Sequence, residues 1–254
     1  MVKPFIEFKD VRKSFGSNHV MQGVNLSIYK GEITVVIGKS GCGKSVLLKH
    51  IIGLETQDSG SIIMGGEELS AMDRHSKRRF KNKTSYMFQD NALFDSLNVF
   101  ENIALPLTEG LALSRRETRE RVYARMEQLE ISGIEGRYPA ELSGGMKKRV
   151  ALARALVTEP DVVLFDEPTT GLDPVRKNAV HGMVQEYQRR FGFTAVVVSH
   201  EIPGIFQIAQ RVAMLDRGKI IFQGSPDEIL GSNLEEVSSF ISGRGVDEEW
   251  TSKG

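Results

Sequence analysis

The sequence predicts an α/β protein: a mainly parallel sheet flanked by helices, with an N-terminal antiparallel β lobe and an inserted helical subdomain. Three observations carry this reading. Segments near the N-terminus alternate apolar and polar residues, as strands covered on one face do. Two later runs, Val162-Val163-Leu164-Phe165 and Ala195-Val196-Val197-Val198, are apolar on both faces, as parallel strands under two layers of helix are. Between the alternating and the continuous runs lies a stretch with a helix-start signal and helical periodicity.

Taken in order, Ile6-Glu7-Phe8-Lys9-Asp10-Val11 and Val24-Asn25-Leu26-Ser27-Ile28 supply the antiparallel lobe. The run Ile33-Thr34-Val35-Val36-Ile37 then leads through a glycine-rich turn into residues 45–52, which have helical length. This is a strand, loop, helix unit. Ser114-Arg115-Arg116-Glu117 has capping-box form, and Val122, Met126 and Leu129 recur behind it at helical spacing. Val180, Val184 and Tyr187 share a helical face between the two buried strands. Val212-Ala213-Met214-Leu215 and Lys219-Ile220-Ile221-Phe222, joined around Asp216-Arg217-Gly218, read as a hairpin. Leu234, Val237, Phe240 and Ile241 predict a short docked helix ahead of a polar, flexible arm that holds Gly243, Gly245 and Trp250. The expected organisation is one domain over 5–225 with its helical subdomain at about 90–157, then a C-terminal helix and tail over 226–254.

With 254 residues and 40% hydrophobic content, the chain can bury a full core. Lys plus Arg equals Asp plus Glu at 33 each, so overall charge recommends no nucleic-acid partner. The single cysteine, Cys42, rules out an internal disulfide framework and fits a reducing compartment. The first residues lack the apolar core of a signal peptide, and a cytosolic location is expected. No apolar run approaches the roughly 20 residues that cross a bilayer, so any transport path must come from another chain.

Gly38-Lys39-Ser40-Gly41-Cys42-Gly43-Lys44-Ser45 has the P-loop spacing of Gly, four residues, then Gly-Lys-Ser. Glycines let the backbone curl so that successive N–H groups face a phosphate, and the following helix adds its positive end. Lys44 would reach the β- and γ-phosphates of ATP, and the Ser45 hydroxyl would bind Mg²⁺. Cys42, just ahead of that helix, has two readings: a thiolate favoured by the dipole, or an inert small residue. The run Val162-Val163-Leu164-Phe165 delivers Asp166 and Glu167 at the carboxyl end of a buried strand, where open α/β sheets bind ligands. Asp166 would hold Mg²⁺, and Glu167 would polarise the attacking water.

Leu142-Ser143-Gly144-Gly145-Met146 followed by Lys147-Lys148-Arg149-Val150-Ala151-Leu152-Ala153-Arg154-Ala155 resembles the signature motif and helix of ABC-type ATPases. Gln89 matches the Q-loop of that family, Gly171-Leu172-Asp173 its D-loop and His200 its switch histidine, so the resemblance runs across residues 5–225. It implies a homodimer in which each ATP lies between the P-loop of one subunit and Ser143, Gly144 and Gly145 of the other. It also places Phe15 at the adenine-stacking position; the alternative is a core phenylalanine.

Met146 at the end of the signature, the segment from Asp90 through Leu93-Phe94-Asp95-Ser96-Leu97 to Ile103, and Ser199-His200-Glu201-Ile202-Pro203 resemble the ATPases of the maintenance-of-lipid-asymmetry phospholipid transporters. The partners so implied are a membrane permease, an MCE-domain lipid-binding protein and a small STAS-domain protein. The location implied is the cytoplasmic face of the inner membrane. Leu93, Phe94, Leu97, Val99 and Phe100 would form the surface that receives the permease, or part of the core. The basic run from Arg74 to Lys83 reads as a solvated face or a contact for anionic headgroups. Two other functions stay open: an ABC importer ATPase for another small solute, and a soluble ABC ATPase working without a permease.

Overall fold

The structure, a computed structural model, describes residues 3–87 and 92–242. It divides into two compact units: one holds the residues up to Met72 and those from Gly171 onward, the other spans Asp73–Thr170.

The first unit opens with β1 (Ile6–Phe15) and β2 (Asn18–Ile28), an antiparallel pair. Ile6, Phe8, Val24, Leu26 and Ile28 are buried, as the alternation predicts, and so is Met21. The alternation breaks after Phe8, where the register slips before Val11. A bulge with Asp10 at φ 46 turns Asp10 outward and restores Val11 to the core. Then come β3 (Ile33–Ile37), α1 (Lys44–Ile51), β4 (Ser59–Met64) and the short β5 (Glu67–Glu68). The antiparallel sheet has the order β2-β1-β4-β5. At its bulge only glycine fits beside β1, because a Cβ on Gly60 would lie 2.3 Å from the Asp10 carbonyl oxygen.

The second unit holds α2 (Arg74–Asn82), β6 (Thr84–Met87), α3 (Val99–Leu105), α4 (Arg115–Gln128), α5 (Gly144–Leu156) and β7 (Val162–Asp166). Strands β6 and β7 pair in parallel. Its helices start where their side chains say they should: Asp73, Asn98, Ser114 and Ser143 each accept a backbone N–H of the first turn. Asn98 with Glu101 and Ser114 with Glu117 complete reciprocal capping boxes. Val99, Ile103, Val122, Met126, Val150 and Leu152 form the core of the helical part. Helix α2 buries none of its side chains, so the basic run lies at the surface, as both readings of it require.

The chain returns to the first unit with α6 (Pro174–Phe191), β8 (Thr194–Ser199), β9 (Arg211–Asp216), β10 (Lys219–Gly224), α7 (Pro226–Leu230) and α8 (Glu235–Ser242). Strand β3 lies between β8 and β9, parallel to both, and β10 closes the hairpin antiparallel to β9. Every residue of β3 and β8 is buried, which accounts for their unbroken apolar sequence. Leu47, Leu48 and Ile51 of α1, with Val180, Val184 and Tyr187 of α6, are buried as well. In α8 Val237 is buried while Leu234, just ahead of it, is exposed; Gly243, Gly245 and Trp250 lie outside the described residues. Among the described residues no helix is long and apolar enough to cross a membrane.

Candidate nucleotide-binding and hydrolysis site

Strand β3 ends at Ile37, and the loop of Gly38, Lys39, Ser40, Gly41, Cys42 and Gly43 carries the chain into α1. Lys39, Ser40 and Gly41 are exposed on its crest. A side chain at Gly38 would put its Cβ 2.3 Å from the Leu215 carbonyl oxygen, and one at Gly43, at φ +106, would meet Val20 Cγ1 at 2.9 Å. Glycine is therefore required where the loop presses on its own unit. Gly43 caps α1 without a side chain, and the first turn carries no acid, so the positive helix end is left for an external anion. Lys44 is only 4% exposed; its ammonium donates to the carbonyls of Gly38 at 2.9 Å and Lys39 at 3.0 Å, which holds it folded across the loop. A held cation, an exposed loop crest and an acid-free helix start fit a polyphosphate, and the Ser45 hydroxyl that follows suits a hard divalent cation.

Of the two sequence readings of Cys42, its surroundings favour the inert small residue. Burial pushes its thiol up from the ordinary value, against the opposing pull of the Lys44 charge, so the thiolate is disfavoured. The sulfur packs where a Gly38 side chain would be, 2.8 Å from the Cβ position.

In the second unit β7 brings Asp166 to its carboxyl end, half-buried, with Glu167 following. The Tyr86 hydroxyl on β6 donates to Asp166 Oδ2 at 2.6 Å. Burial first, and the neighbouring carboxylate second, push the Tyr86 phenol far above its usual range, so it stays a donor. Glu167 sits at φ 48, a left-handed conformation rare for a residue with a side chain. Strain of this kind gathers at functional sites, and here it is held by Thr170, whose hydroxyl donates to Glu167 Oε2 at 3.0 Å. Lys148 of α5 donates to the Pro168 carbonyl at 2.8 Å, tying the signature helix to the loop behind Glu167.

Ser143, Gly144 and Gly145 open α5 and are exposed. The Ser143 hydroxyl accepts the Met146 N–H at 3.3 Å, no acid occupies the first turn, and a Cβ on either glycine would meet nothing within 4 Å. Asp173 caps α6; the Arg176 backbone N–H holds its carboxyl below the usual carboxylate range. His200 follows β8 directly and is exposed, and its neighbour Glu201 is paired with Lys177 at 2.8 Å. Phe15 is 45% exposed, which rules out the core reading, and the Lys13 ammonium lies over its ring at 5.2 Å from the centroid. Gln89 and Asp90 lie outside the described residues.

Within the apolar segment after Gln89, Val99 belongs to the core, whereas Phe94 is 52% exposed and Leu93, Leu97 and Phe100 are half-buried. Residues that sequence reasoning passed over are Tyr86, Thr170, Lys148 and Asn102. Tyr86 reaches a side chain on another strand, Lys148 and Asn102 bond backbone carbonyls, and Thr170 bonds the Glu167 side chain three residues back; only the capping box around Asn98 is a local sign that α3 begins there.

The phosphate loop with its buried lysine, and the strand that ends in Asp166 and Glu167, define a P-loop ATPase by their chemistry. More narrowly, the chain belongs to the ABC transporter family, whose model matches residues 21–170. It is 35% identical over 242 residues to the intermembrane phospholipid transport system ATP-binding protein MlaF of Escherichia coli K12, covering 95% of this chain and 90% of that one. It is 36% identical over 241 residues to the probable ribonucleotide transport ATP-binding protein mkl of Mycobacterium leprae, covering 95% and 70%. The methionine import ATP-binding protein MetN of Brucella abortus is 39% identical over 221 residues, covering 87% and 60%. Among solved structures, cbiO1 of Clostridium perfringens, part of the ABC transporter complex cbiONQ, superposes with a TM-score of 0.82 at 28% identity over 93% of each chain. The protein is an ABC transporter ATPase that binds ATP and works with membrane components.

Proposed function

We propose that this chain binds Mg²⁺ with ATP and powers phospholipid transport between membranes as a homodimer on the cytoplasmic face of the inner membrane. In this reading its partners are a permease, an MCE-domain lipid-binding protein and a STAS-domain accessory protein. The observation that carries the lipid assignment is the match to the phospholipid transport ATPase, which runs through 95% of this chain and 90% of that relative.

The roles follow from side-chain chemistry. Phe15 stacks on adenine, the loop from Gly38 to Ser45 holds the phosphates, and Ser45, Asp166 and Gln89 hold Mg²⁺. The ion, when bound, neutralises charge on the β- and γ-phosphate oxygens. Glu167 accepts a proton from the attacking water, oriented by the Thr170 hydroxyl. His200 and Gln89 contact the γ-phosphate side of the site. Ser143, Gly144, Gly145 and Asp173 serve the nucleotide of the facing subunit, which explains an exposed helix start without a neighbouring acid in its own chain.

The kinship with a methionine importer favours a second reading, an importer ATPase for a small solute. Tagged chain purified from detergent-solubilised native membranes separates the two. Co-purifying permease and MCE-domain protein with bound phospholipid is the expected result; an amino-acid or metal permease would reject the lipid assignment and leave the ATPase intact.

A further inference from the structure

Tyr86 and Asp166 are 80 positions apart in sequence, yet the tyrosine hydroxyl donates to Asp166 Oδ2 at 2.6 Å. The strand register explains how. Strands β6 and β7 run parallel with Tyr86 opposite Leu164, and Asp166 lies two residues beyond Leu164 on the same face. A tyrosine side chain leaning along its strand spans that offset, whereas a serine or asparagine at the same position would stop short. Both residues are half-buried, so the bond is made where water competes weakly.

A carboxylate at the end of a strand can turn about its last torsion, and its two oxygens are interchangeable until something distinguishes them. The short bond from Tyr86 engages Oδ2 and so distinguishes the two. We propose that Tyr86 is the positioning residue for the magnesium carboxylate, fixing Asp166 so that Oδ1 is presented to the cation. This rests on the assignment of Asp166 to Mg²⁺ above. Tyr86 touches neither nucleotide nor metal in this scheme and acts through Asp166. It also stands three positions ahead of Gln89 in the sequence.

The test is Tyr86→Phe in the full-length chain, which keeps the ring and its packing and removes only the donor. ATP affinity is measured with excess Mg²⁺ and again with EDTA, and Mn²⁺ binding to the ATP-loaded protein is followed by electron paramagnetic resonance. The expected result is about a tenfold weaker metal affinity in the ATP complex, with ATP affinity in EDTA unchanged. Tyr86→Phe combined with Asp166→Asn should bind metal no more weakly than Asp166→Asn alone. Unchanged Mn²⁺ affinity and line shape in Tyr86→Phe would overturn the positioning role. A fall in EDTA affinity equal to that in Mg²⁺ would also overturn it, by showing general damage to the fold. If wild-type protein showed no Mg²⁺ enhancement of ATP binding, the assignment of Asp166 itself would be the part that failed.

Discussion

Asn102 holds Phe94 by both edges of its amide: the Phe94 N–H donates to Oδ1 at 2.9 Å, and Nδ2 donates back to the Phe94 carbonyl at 3.1 Å. The same Nδ2 reaches the Leu97 carbonyl at 2.8 Å and that of Asn98 at 3.1 Å, so one buried side chain fixes the turn that precedes α3. Arg154 closes the other side by donating to the Ala92 carbonyl, with its guanidinium 6.0 Å from the Phe94 ring centroid. In the reading proposed above, an exposed aromatic on a turn this firmly held would meet the permease already preorganised.

Asn102→Ala should therefore cost about 1–3 kcal/mol, because it leaves buried backbone groups without their partner. Its larger effect should be on assembly. Permease co-purification is expected to fall while ATP affinity of the isolated chain, measured by fluorescence titration, stays near wild type. Phe94→Ala should lose the permease with little loss of thermal stability, since its ring is half outside the protein already.

Glu167→Gln keeps the size of the side chain and its Thr170 contact but removes the proton acceptor. Steady-state phosphate release in the assembled transporter should drop by about a hundredfold or more, within the range general-base loss produces. ATP binding should persist, and gel filtration with MgATP should show the variant accumulating as a dimer. Turnover near wild type would remove Glu167 from the chemistry.

Cys42 should label slowly. Burial disfavours its thiolate, so N-ethylmaleimide at neutral pH is expected to react well below the rate for an exposed cysteine, and the rate should climb as pH rises past the ordinary thiol value of 9.0. Fast labelling at neutral pH would restore the helix-dipole reading.

How much of this was legible beforehand depended on the distance over which the information is written. The phosphate loop is a local device, and its glycine spacing announces it; the capping box of Ser114 and Glu117 is equally local. The alternation of β1 was readable, but its bulge at Asp10 was not, because that depends on Gly60 approaching from β4. Tyr86 looked like any strand tyrosine until the fold brought Asp166 to it. Asn102 spends its amide on backbone atoms, which no residue pattern records. Cys42 differs: the dipole argument holds for a thiol in the open, but the loop turns the sulfur against Gly38, and desolvation there outweighs the pull of the Lys44 charge.

Stability should depend on pH in two separate windows. His50 and His181 are buried, and burial lowers both below the ordinary 6.5, with Lys13, Glu55 and Asp58 facing the first and Lys177 and Glu201 the second. The unfolded chain binds protons that the folded one refuses, so stability is full above 6.5 and falls as pH drops from there through the folded values. Among the described residues neither ring nitrogen of His181 has a hydrogen-bond partner, so His181→Leu should flatten part of the slope of the urea midpoint below pH 6.5. A second loss should follow in stronger acid. Asp58, Asp73 and Asp173, with Glu117 and Glu228, are held below their ordinary 3.8 and 4.5 mainly by hydrogen bonds from Ser14, Ser76, Arg176, Ser114 and Ser225 respectively. What they contribute is present above those values and is lost as they protonate.

The start of α5 allows stability and function to be separated with one substitution. Gly145 is the second residue of the helix, exposed, and a side chain there would meet nothing within 4 Å. Its φ is not in the left-handed region, so a side chain brings no backbone strain. Asp at this position would complement a helix end that now has no acid, and Asp is a better helix residue than Gly. The isolated chain should then be as stable as wild type or more so, by up to about 1 kcal/mol in chemical denaturation. The same carboxylate would face the γ-phosphate held by the opposite subunit and repel it without water to screen the charge. Gly145→Asp should thus raise or preserve the melting temperature, keep ATP binding by the isolated chain, and abolish both MgATP-driven dimerisation and hydrolysis in the transporter. Gly145→Ala, which fills the same space without charge, should retain most of the activity. If the aspartate variant hydrolysed ATP as well as the alanine one, the helix start would not be receiving a phosphate, and the role assigned to Ser143, Gly144 and Gly145 would have to be given up.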